Sequence, residues 1–221
     1  LGWRLRSIAG HKHVVLELGG NAGVIVAADA DLPWAAARCA VGGFAYAGQV
    51  CIAVQRIFVE EQVYDEFKGL LLKNVAELVV GEPADERTDV GPMIDERSAE
   101  RVESWVREAV AGGARILTGG KREGRFLAPT IVENPPPGSK LACEEVFGPV
   151  VSIEKVPVVA EAQRRIEASA YGLHAGLFTR DIESVLAAWA GVQVGGLIVN
   201  DIPTYRSDAM PYGGTKLSGT G

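Results

Sequence analysis

The chain has 221 residues, 48% hydrophobic and 23% charged, enough apolar material to bury a sizeable core and too much for global disorder. Its formal net charge of -6, with no basic cluster interleaved with aromatics, argues against nucleic acid or an anionic membrane as partner. Cys39, Cys51 and Cys143 show neither C-x-x-C spacing nor a nearby His pair, so a metal site or disulfide framework is not expected and a reducing, cytoplasmic setting fits.

Short β-rich runs alternate with amphipathic segments, the signature of a layered α/β fold. Val14 to Leu18 and Val24 to Val26 read as strands on either side of Gly19-Gly20-Asn21-Ala22-Gly23. Leu32 to about Ala47 reads as a helix apolar nearly all round, hence buried. Its Cys39 to Val54 neighbourhood is too short and too rich in glycine for a membrane span. Gln55 to Glu60 is a strand, and Val63, Phe67, Leu70 and Leu71 then share one helical face. Asp95 caps a helix whose stripe is Val102, Val106, Ala109 and Val110, ending at Gly112-Gly113. Ala114 to Thr118, Phe126 to Val132 and Val150 to Ile153 are strand candidates, with Pro135-Pro136-Pro137-Gly138 a rigid turn between the last two. A helix near Ala160 to Ala168, a strand His174 to Thr179, a helix capped by Asp181 and a strand Gly196 to Asn200 follow. The Gly-rich segment from Tyr205 to Gly221 lacks periodicity and reads as loop.

Two residues stand out chemically. Glu17 lies in an apolar run before two glycines, where a buried carboxylate is costly unless it has a task and where a ligand could approach closely; strand alternation would otherwise turn it to solvent. Cys51 sits between a buried helix and a strand, a place where catalytic side chains are displayed, although free cysteines are often inert packing. Cys39, within the apolar helix, fits that inert role, and Cys143 precedes two glutamates that would raise a thiol pKa. One glutamate of the pair Glu144-Glu145 is suited to accept hydrogen bonds from ribose hydroxyls. No G-x-G-x-x-G occurs.

Leu16-Glu17-Leu18-Gly19-Gly20, Gly48-Gln49-Val50-Cys51, the run Glu144 to Pro149, Val199-Asn200 and the tail Pro211 to Gly219 occur in an order that resembles the aldehyde dehydrogenase superfamily over essentially the whole chain. The resemblance implies a three-layer α/β catalytic domain, its mostly parallel sheet flanked by helices. It implies that Cys51 attacks an aldehyde and that Glu17 activates the hydrolytic water. Gly2, Gly20, Glu145 and Phe147 would serve NAD or NADP, with Glu145 at the nicotinamide ribose and Phe147 beside the ring. Asn200 matches a residue of the active-site funnel, and Tyr205 and Arg206 fall in the substrate-mouth loop. That loop is similar to those of members acting on lactaldehyde, glyceraldehyde phosphate or phosphonoacetaldehyde. The boundaries implied are residues 1–19 as the end of a cofactor-binding domain, 20–204 as the catalytic domain and 205–221 as a C-terminal loop, so that the chain reads as a fragment without its cofactor half. A homo-dimer or homo-tetramer is implied for the longer protein. Asn21-Ala22-Gly23 stands where many members have Lys and Pro, and Tyr212 where Phe is common, which leaves the subfamily open.

The chemistry implied is a Cys51 thiohemiacetal, oxidation to a thioester and hydrolysis to a carboxylic acid. A Cys–His hydrolase without a redox cofactor, with His174 as partner, is the alternative enzyme class, and a non-catalytic assembly domain the third reading. A pairing of Arg206 with Asp208 on the surface is the bland account of that arginine.

Overall fold

In the computed structural model of the chain, which describes residues 1–220, the alternation of apolar runs and amphipathic segments becomes a doubly covered sheet. Helix α1 (Gly2–Ile8) and a two-residue strand β1 (Leu16–Glu17) precede β2 (Ala22–Val26), α2 (Leu32–Phe44), β3 (Val54–Glu60), α3 (Tyr64–Ala76) and α4 (Glu96–Ala111). Next come β4 (Arg115–Thr118), the hairpin of β5 (Arg122–Glu123) and β6 (Phe126–Leu127), β7 (Thr130–Glu133), α5 (Lys140–Cys143) and β8 (Val150–Val156). Then follow α6 (Val159–Glu167), β9 (Tyr171–Gly172), β10 (His174–Phe178), α7 (Ile182–Gly191), β11 (Gly196–Val199), β12 (Thr215–Lys216) and β13 (Gly219–Thr220).

Seven strands pair in the order β11-β10-β2-β3-β8-β7-β4, every pair parallel except β4 with β7 at the edge. Central parallel strands are covered on both faces and so are apolar at consecutive positions. In β2, Val24 and Val26 join the core under α2, α3 and α4, while Ile25 joins the core under α6 and α7. In β3, Ile57 and Val59 point to the first core and Phe58 to the second. This is the three-layer α/β arrangement expected. The helices start where their caps stand: Asp31 accepts from the Trp34 N–H, Asp95 from the Ser98 N–H, and Asp181 from the Glu183 and Ser184 N–H groups. No helix of the described residues is long and apolar enough to cross a membrane.

Four expectations change. The helix read to about Ala47 stops at Phe44, because Tyr46, Ala47 and Gly48 turn the chain with φ of 54°, 56° and 66°. The run Phe126 to Val132 is two strands: Pro129, which lacks an N–H, separates the β5–β6 hairpin from β7. The strand read as Val14 to Leu18 is only Leu16–Glu17, and Glu17 is exposed. The tail is not all loop, since β12 pairs with β9 and β13 pairs with β1. Gly221, the last residue of that predicted loop, lies outside the described residues.

The pairing of β13 with β1 depends on Gly219, whose φ is 126° and where a Cβ would overlap the Leu16 carbonyl. Gly219→Ala is expected to detach the tail from β1, and tryptic cleavage after Lys216 should quicken while the central core melts at nearly its original temperature. Unchanged cleavage kinetics would contradict this account of the tail.

Candidate active site

Parallel strands enter a sheet from one edge, so the loops that precede neighbouring strands are neighbours too. β2, β3 and β8 are adjacent and central, and the segments leading into them carry Glu17 to Gly20, Gly48 to Cys51, and Glu144 to Pro149. The sheet therefore gathers at its amino-terminal edge three motifs that are up to about 130 residues apart in sequence. Gly20, Gly48, Cys51, Glu145 and Phe147 line one small crevice there.

Backbone proximity fixes the crevice. A Cβ on Gly20 would overlap the Cys51 carbonyl oxygen, and one on Gly48 would overlap the Gly148 carbonyl. The Gly20 N–H donates to Glu145 Oε1 at 2.8 Å, and the other oxygen of that carboxylate lies 2.7 Å from where a Cβ on Gly19 would stand. Polar side chains hold the loop that carries Glu145. Buried Gln55 receives the Val146 N–H at 3.0 Å and donates to the Glu144 carbonyl at 2.7 Å. Asn21 donates to the same carbonyl at 3.0 Å, and Arg101 to the Val146 carbonyl at 2.7 Å. Gln49 ties the cysteine loop to the neighbouring segment, accepting from the Ile94 N–H at 2.8 Å. Phe147 takes φ of 49° and leaves its ring 40% exposed. Burial raises the Glu145 carboxyl above the usual range, against the opposing effects of the Gly20 N–H and the Arg101 charge.

The thiol has one side-chain partner among the described residues, Tyr212, whose hydroxyl is 3.2 Å from Cys51 Sγ. Burial, the Cys51 sulfur and the Glu17 charge all push the Tyr212 phenol up, and Arg206 opposes them. Glu17, on β1, is exposed, and its charge contributes to the shift of Tyr212. The Arg206 guanidinium lies 4.3 Å from the centre of the Tyr212 ring, and His174 meets that ring edge-on at 5.2 Å. Arg206 forms no ion pair with Asp208 among the described residues; its hydrogen-bond partner is the Met210 carbonyl at 3.5 Å. His174 Nδ1–H donates to the Pro203 carbonyl at 2.8 Å, and burial lowers its pKa, so the imidazole is neutral. Cys39 is fully buried and its thiol pKa is raised by that burial, while Cys143 is exposed with its thiol on the Pro137 carbonyl.

Asn200 is not brought to this edge. It follows β11, whose first residue, Gly196, is level with His174, so Asn200 stands at the carboxyl-terminal edge of the sheet. There its Oδ1 accepts from the Thr179 N–H at 3.0 Å and its carbonyl from Trp34 Nε1–H at 3.0 Å, which leaves the amide serving the strand ends rather than a funnel beside Cys51. Tyr205 is exposed on the returning loop, its N–H on the Ile202 carbonyl. Gly2 opens α1, and a Cβ there would sit 2.9 Å from Leu18 Cδ2. Sequence reasoning passed over Gln55, Asn21, Gln49 and Arg101 as parts of the site. A glutamine in a strand whose neighbours Val54, Ile57, Phe58 and Val59 call for burial was a usable signal, because a buried amide must find partners.

A doubly covered, mostly parallel sheet with a thiol and a glycine-built crevice at one edge defines a layered α/β domain, and sequence comparison resolves the class further. Residues 2–221 match the model of the aldehyde dehydrogenase family, and the chain belongs to that family. It is 50% identical, over all of its 221 residues, to the 3-sulfolactaldehyde dehydrogenase of Priestia aryabhattai, of which it covers 46%. It is 40% identical over 221 residues to the lactaldehyde dehydrogenase of Methanococcus aeolicus, covering 47% of that protein. Among solved structures, the glyceraldehyde-3-phosphate dehydrogenase of Methanocaldococcus jannaschii complexed with NADP superposes on all of the chain with a TM-score of 0.96 at 40% identity, the match covering 48% of that structure. An aldehyde dehydrogenase of Physcomitrella patens in complex with the reaction product succinate matches 99% of the chain with a TM-score of 0.95 at 44% identity, covering 46% of that structure. The chain spans about half the length of these relatives.

A carboxyl whose folded-state pKa is raised stabilises the fold while protonated, and that contribution is lost as pH climbs through the folded pKa. Glu145→Gln keeps an acceptor for the Gly20 N–H and removes the charge that burial disfavours. The variant should melt higher than the parent at about pH 7 and at the same temperature near about pH 3, where both side chains are neutral. A lower melting temperature at neutral pH would show that the charge is stabilised rather than tolerated.

Proposed function

We propose that this chain is the catalytic portion of an NAD- or NADP-dependent dehydrogenase that oxidises a small aldehyde to its carboxylic acid. The observation that supports this best is the convergence of Cys51, Glu17 and Glu145 at one sheet edge, with the thiol unburdened by a His partner. Residues 1–19 would end the cofactor-binding domain, 20–204 would form the catalytic domain, and 205–221 would be a C-terminal loop. Cytoplasmic residence and a homo-dimeric or homo-tetrameric state belong to the same reading of the longer protein.

The residues suit the steps required. A Cys51 thiolate attacks the carbonyl carbon, and the Cys51 N–H can help to hold the oxyanion that forms. The chemistry that NAD or NADP supplies when bound is acceptance of the hydride that leaves this adduct, which becomes a thioester. Glu17, exposed on β1 and with its charge acting on Tyr212, would take a proton from the water that attacks the thioester; the thiolate leaves and the acid is released. The residues also fit the nicotinamide end of such a cofactor. The Glu145 carboxylate has its second oxygen without a protein donor among the described residues, open to ribose hydroxyls, and exposed Phe147 stands in the same loop. Gly19 and Gly20 leave the space that side chains would fill. Gly2, packed on Leu18 at the start of α1, would lie toward the phosphates.

Substrate choice is assigned to the mouth formed by Tyr205, Arg206 and Tyr212, with Asn200 acting at a distance by fixing the strand ends from which this loop departs. An exposed Arg206 without an acidic partner can receive an anionic group of the aldehyde, in keeping with relatives named for sulfolactaldehyde and sulfoacetaldehyde.

These roles are tested in a polypeptide that joins the chain to the part of the family's length it does not span. Cys51→Ala should abolish NADH or NADPH formation, whereas Cys39→Ala and Cys143→Ala retain most of it; normal turnover by Cys51→Ala would end the assignment. Glu17→Gln should give a burst of reduced cofactor followed by a slow phase as thioester accumulates, and fast burst-free turnover would remove Glu17 from hydrolysis. Arg206→Ala should raise KM for sulfonated or phosphorylated aldehydes by about tenfold or more, the worth of one charged hydrogen bond, and leave acetaldehyde nearly untouched. An equal change for both would refute anion binding. The chain by itself should bind NAD⁺ far more weakly than the joined polypeptide, because the pyrophosphate site needs more than Gly2; micromolar affinity by calorimetry would contradict this division of labour.

A further inference from the structure

We propose that Tyr212 Oη is a catalytic hydrogen-bond donor to Cys51 Sγ, sharing the task of holding the thiolate that nucleophilic cysteines usually give to an imidazolium; the role rests on Cys51 being the nucleophile. The hydroxyl lies 3.2 Å from the sulfur and is its one side-chain hydrogen-bond partner among the described residues. The phenol is firmly placed. His174 packs edge-on against its ring, itself pinned through Nδ1 to the Pro203 carbonyl, and the Arg206 guanidinium covers the ring at 4.3 Å. Gly195 and Gly213 are so close that a Cβ on Gly195 would overlap the Gly213 carbonyl, which fixes the backbone immediately after Tyr212.

Four titratable or charged groups face the pair. Glu17 comes from β1, Glu145 from the loop before β8 across Gly20, His174 from β10 and Arg206 from the same loop as Tyr212. Burial keeps His174 neutral, so it contributes no cation. Burial, the Cys51 sulfur and the Glu17 charge keep the phenol protonated, so the bond to a thiolate is O–H···S⁻ with the proton on oxygen throughout. During attack the sulfur lone pair forms the C–S bond and the carbonyl π electrons move to oxygen. Tyr212 loses no proton; its hydrogen bond weakens as the sulfur gives up its charge.

This arrangement has a kinetic signature. A donor that stabilises the thiolate lowers the thiol pKa and also lowers the reactivity of each thiolate, with a Brønsted coefficient of about 0.4–0.5. Tyr212→Phe keeps the ring between His174 and Arg206 and removes only the hydroxyl. The test is the rate of exchange with an aromatic disulfide as a function of pH, in a Cys143→Ala background where Cys51 is the remaining accessible thiol. Tyr212→Phe should move the midpoint up by about one pH unit, slow exchange near neutrality about threefold and speed the alkaline plateau about threefold, so that the two profiles cross. Superimposable profiles, or a uniform change of rate with an unmoved midpoint, would overturn the proposal and leave Tyr212 a packing residue. Neither aldehyde nor nicotinamide enters this measurement, so failure of the dehydrogenase reading would appear in the turnover assays and not here.

Discussion

A side chain that Gly20 does not have sets the geometry of this protein's reactive edge. Its α-carbon approaches the Cys51 carbonyl too closely for a Cβ, while its N–H reaches 2.8 Å to the Glu145 carboxylate. One residue therefore touches both of the other loops, the thiol loop and the acidic loop, and is only three positions from Glu17. Gly48 repeats the device between the thiol loop and the Gly148 backbone. Because these are backbone contacts at the ends of three neighbouring central strands, the thiol loop and the Glu145 loop are tied to the central sheet, while Glu17 is held by the pairing of β1 with β13. A larger residue at Gly20 would push β2 from the cysteine loop and separate the proposed nucleophile from its base.

The electrostatics of the edge follow from what surrounds it. Two carboxylates and a neutral imidazole stand around the edge, and the hydrogen bond proposed from Tyr212 supplies the sulfur with a donor that has no permanent charge. The positive charge nearest Tyr212, on Arg206, is separated from the sulfur by the phenol ring, while that of Arg101 acts on Glu145. That separation suits a division of work in which a cation meets the far end of a substrate and does not compensate the sulfur directly. Inside the sheet, buried Gln55 and half-buried Arg101 spend their hydrogen bonds on the loop that carries Glu145, which otherwise has no regular pairing.

Much of this was legible from residues alone, for identifiable reasons. The parallel core strands were readable because consecutive Val, Ile and Phe are demanded by burial on both faces, and the helix starts because Asp31, Asp95 and Asp181 are good caps; Asp95 and Asp181 were assigned as such. Cys39 was correctly left to packing. The chain's membership of the aldehyde dehydrogenase family was visible in the order of five motifs. The short strands β12 and β13 were not legible, since a two-residue pairing carries no period and depends on partners at Tyr171–Gly172 and Leu16–Glu17. The place of Asn200 was missed for a related reason: which edge a residue occupies depends on strand direction and register, here His174 level with Gly196. The contact between Cys51 and Tyr212 spans 161 positions and arises only when the tail folds back over the amino-terminal edge.

The central claim is that Cys51 carries the substrate covalently. It is tested most directly by mixing the joined polypeptide with carbon-13-labelled aldehyde and oxidised cofactor, quenching in acid during the first turnover, and locating the label by peptide mass spectrometry. The account predicts an acyl group, two hydrogens lighter than the aldehyde adduct, on Cys51 and on no other cysteine. Reduced cofactor forming with Cys51 unlabelled, or with the acyl group on Cys39 or Cys143, would contradict it.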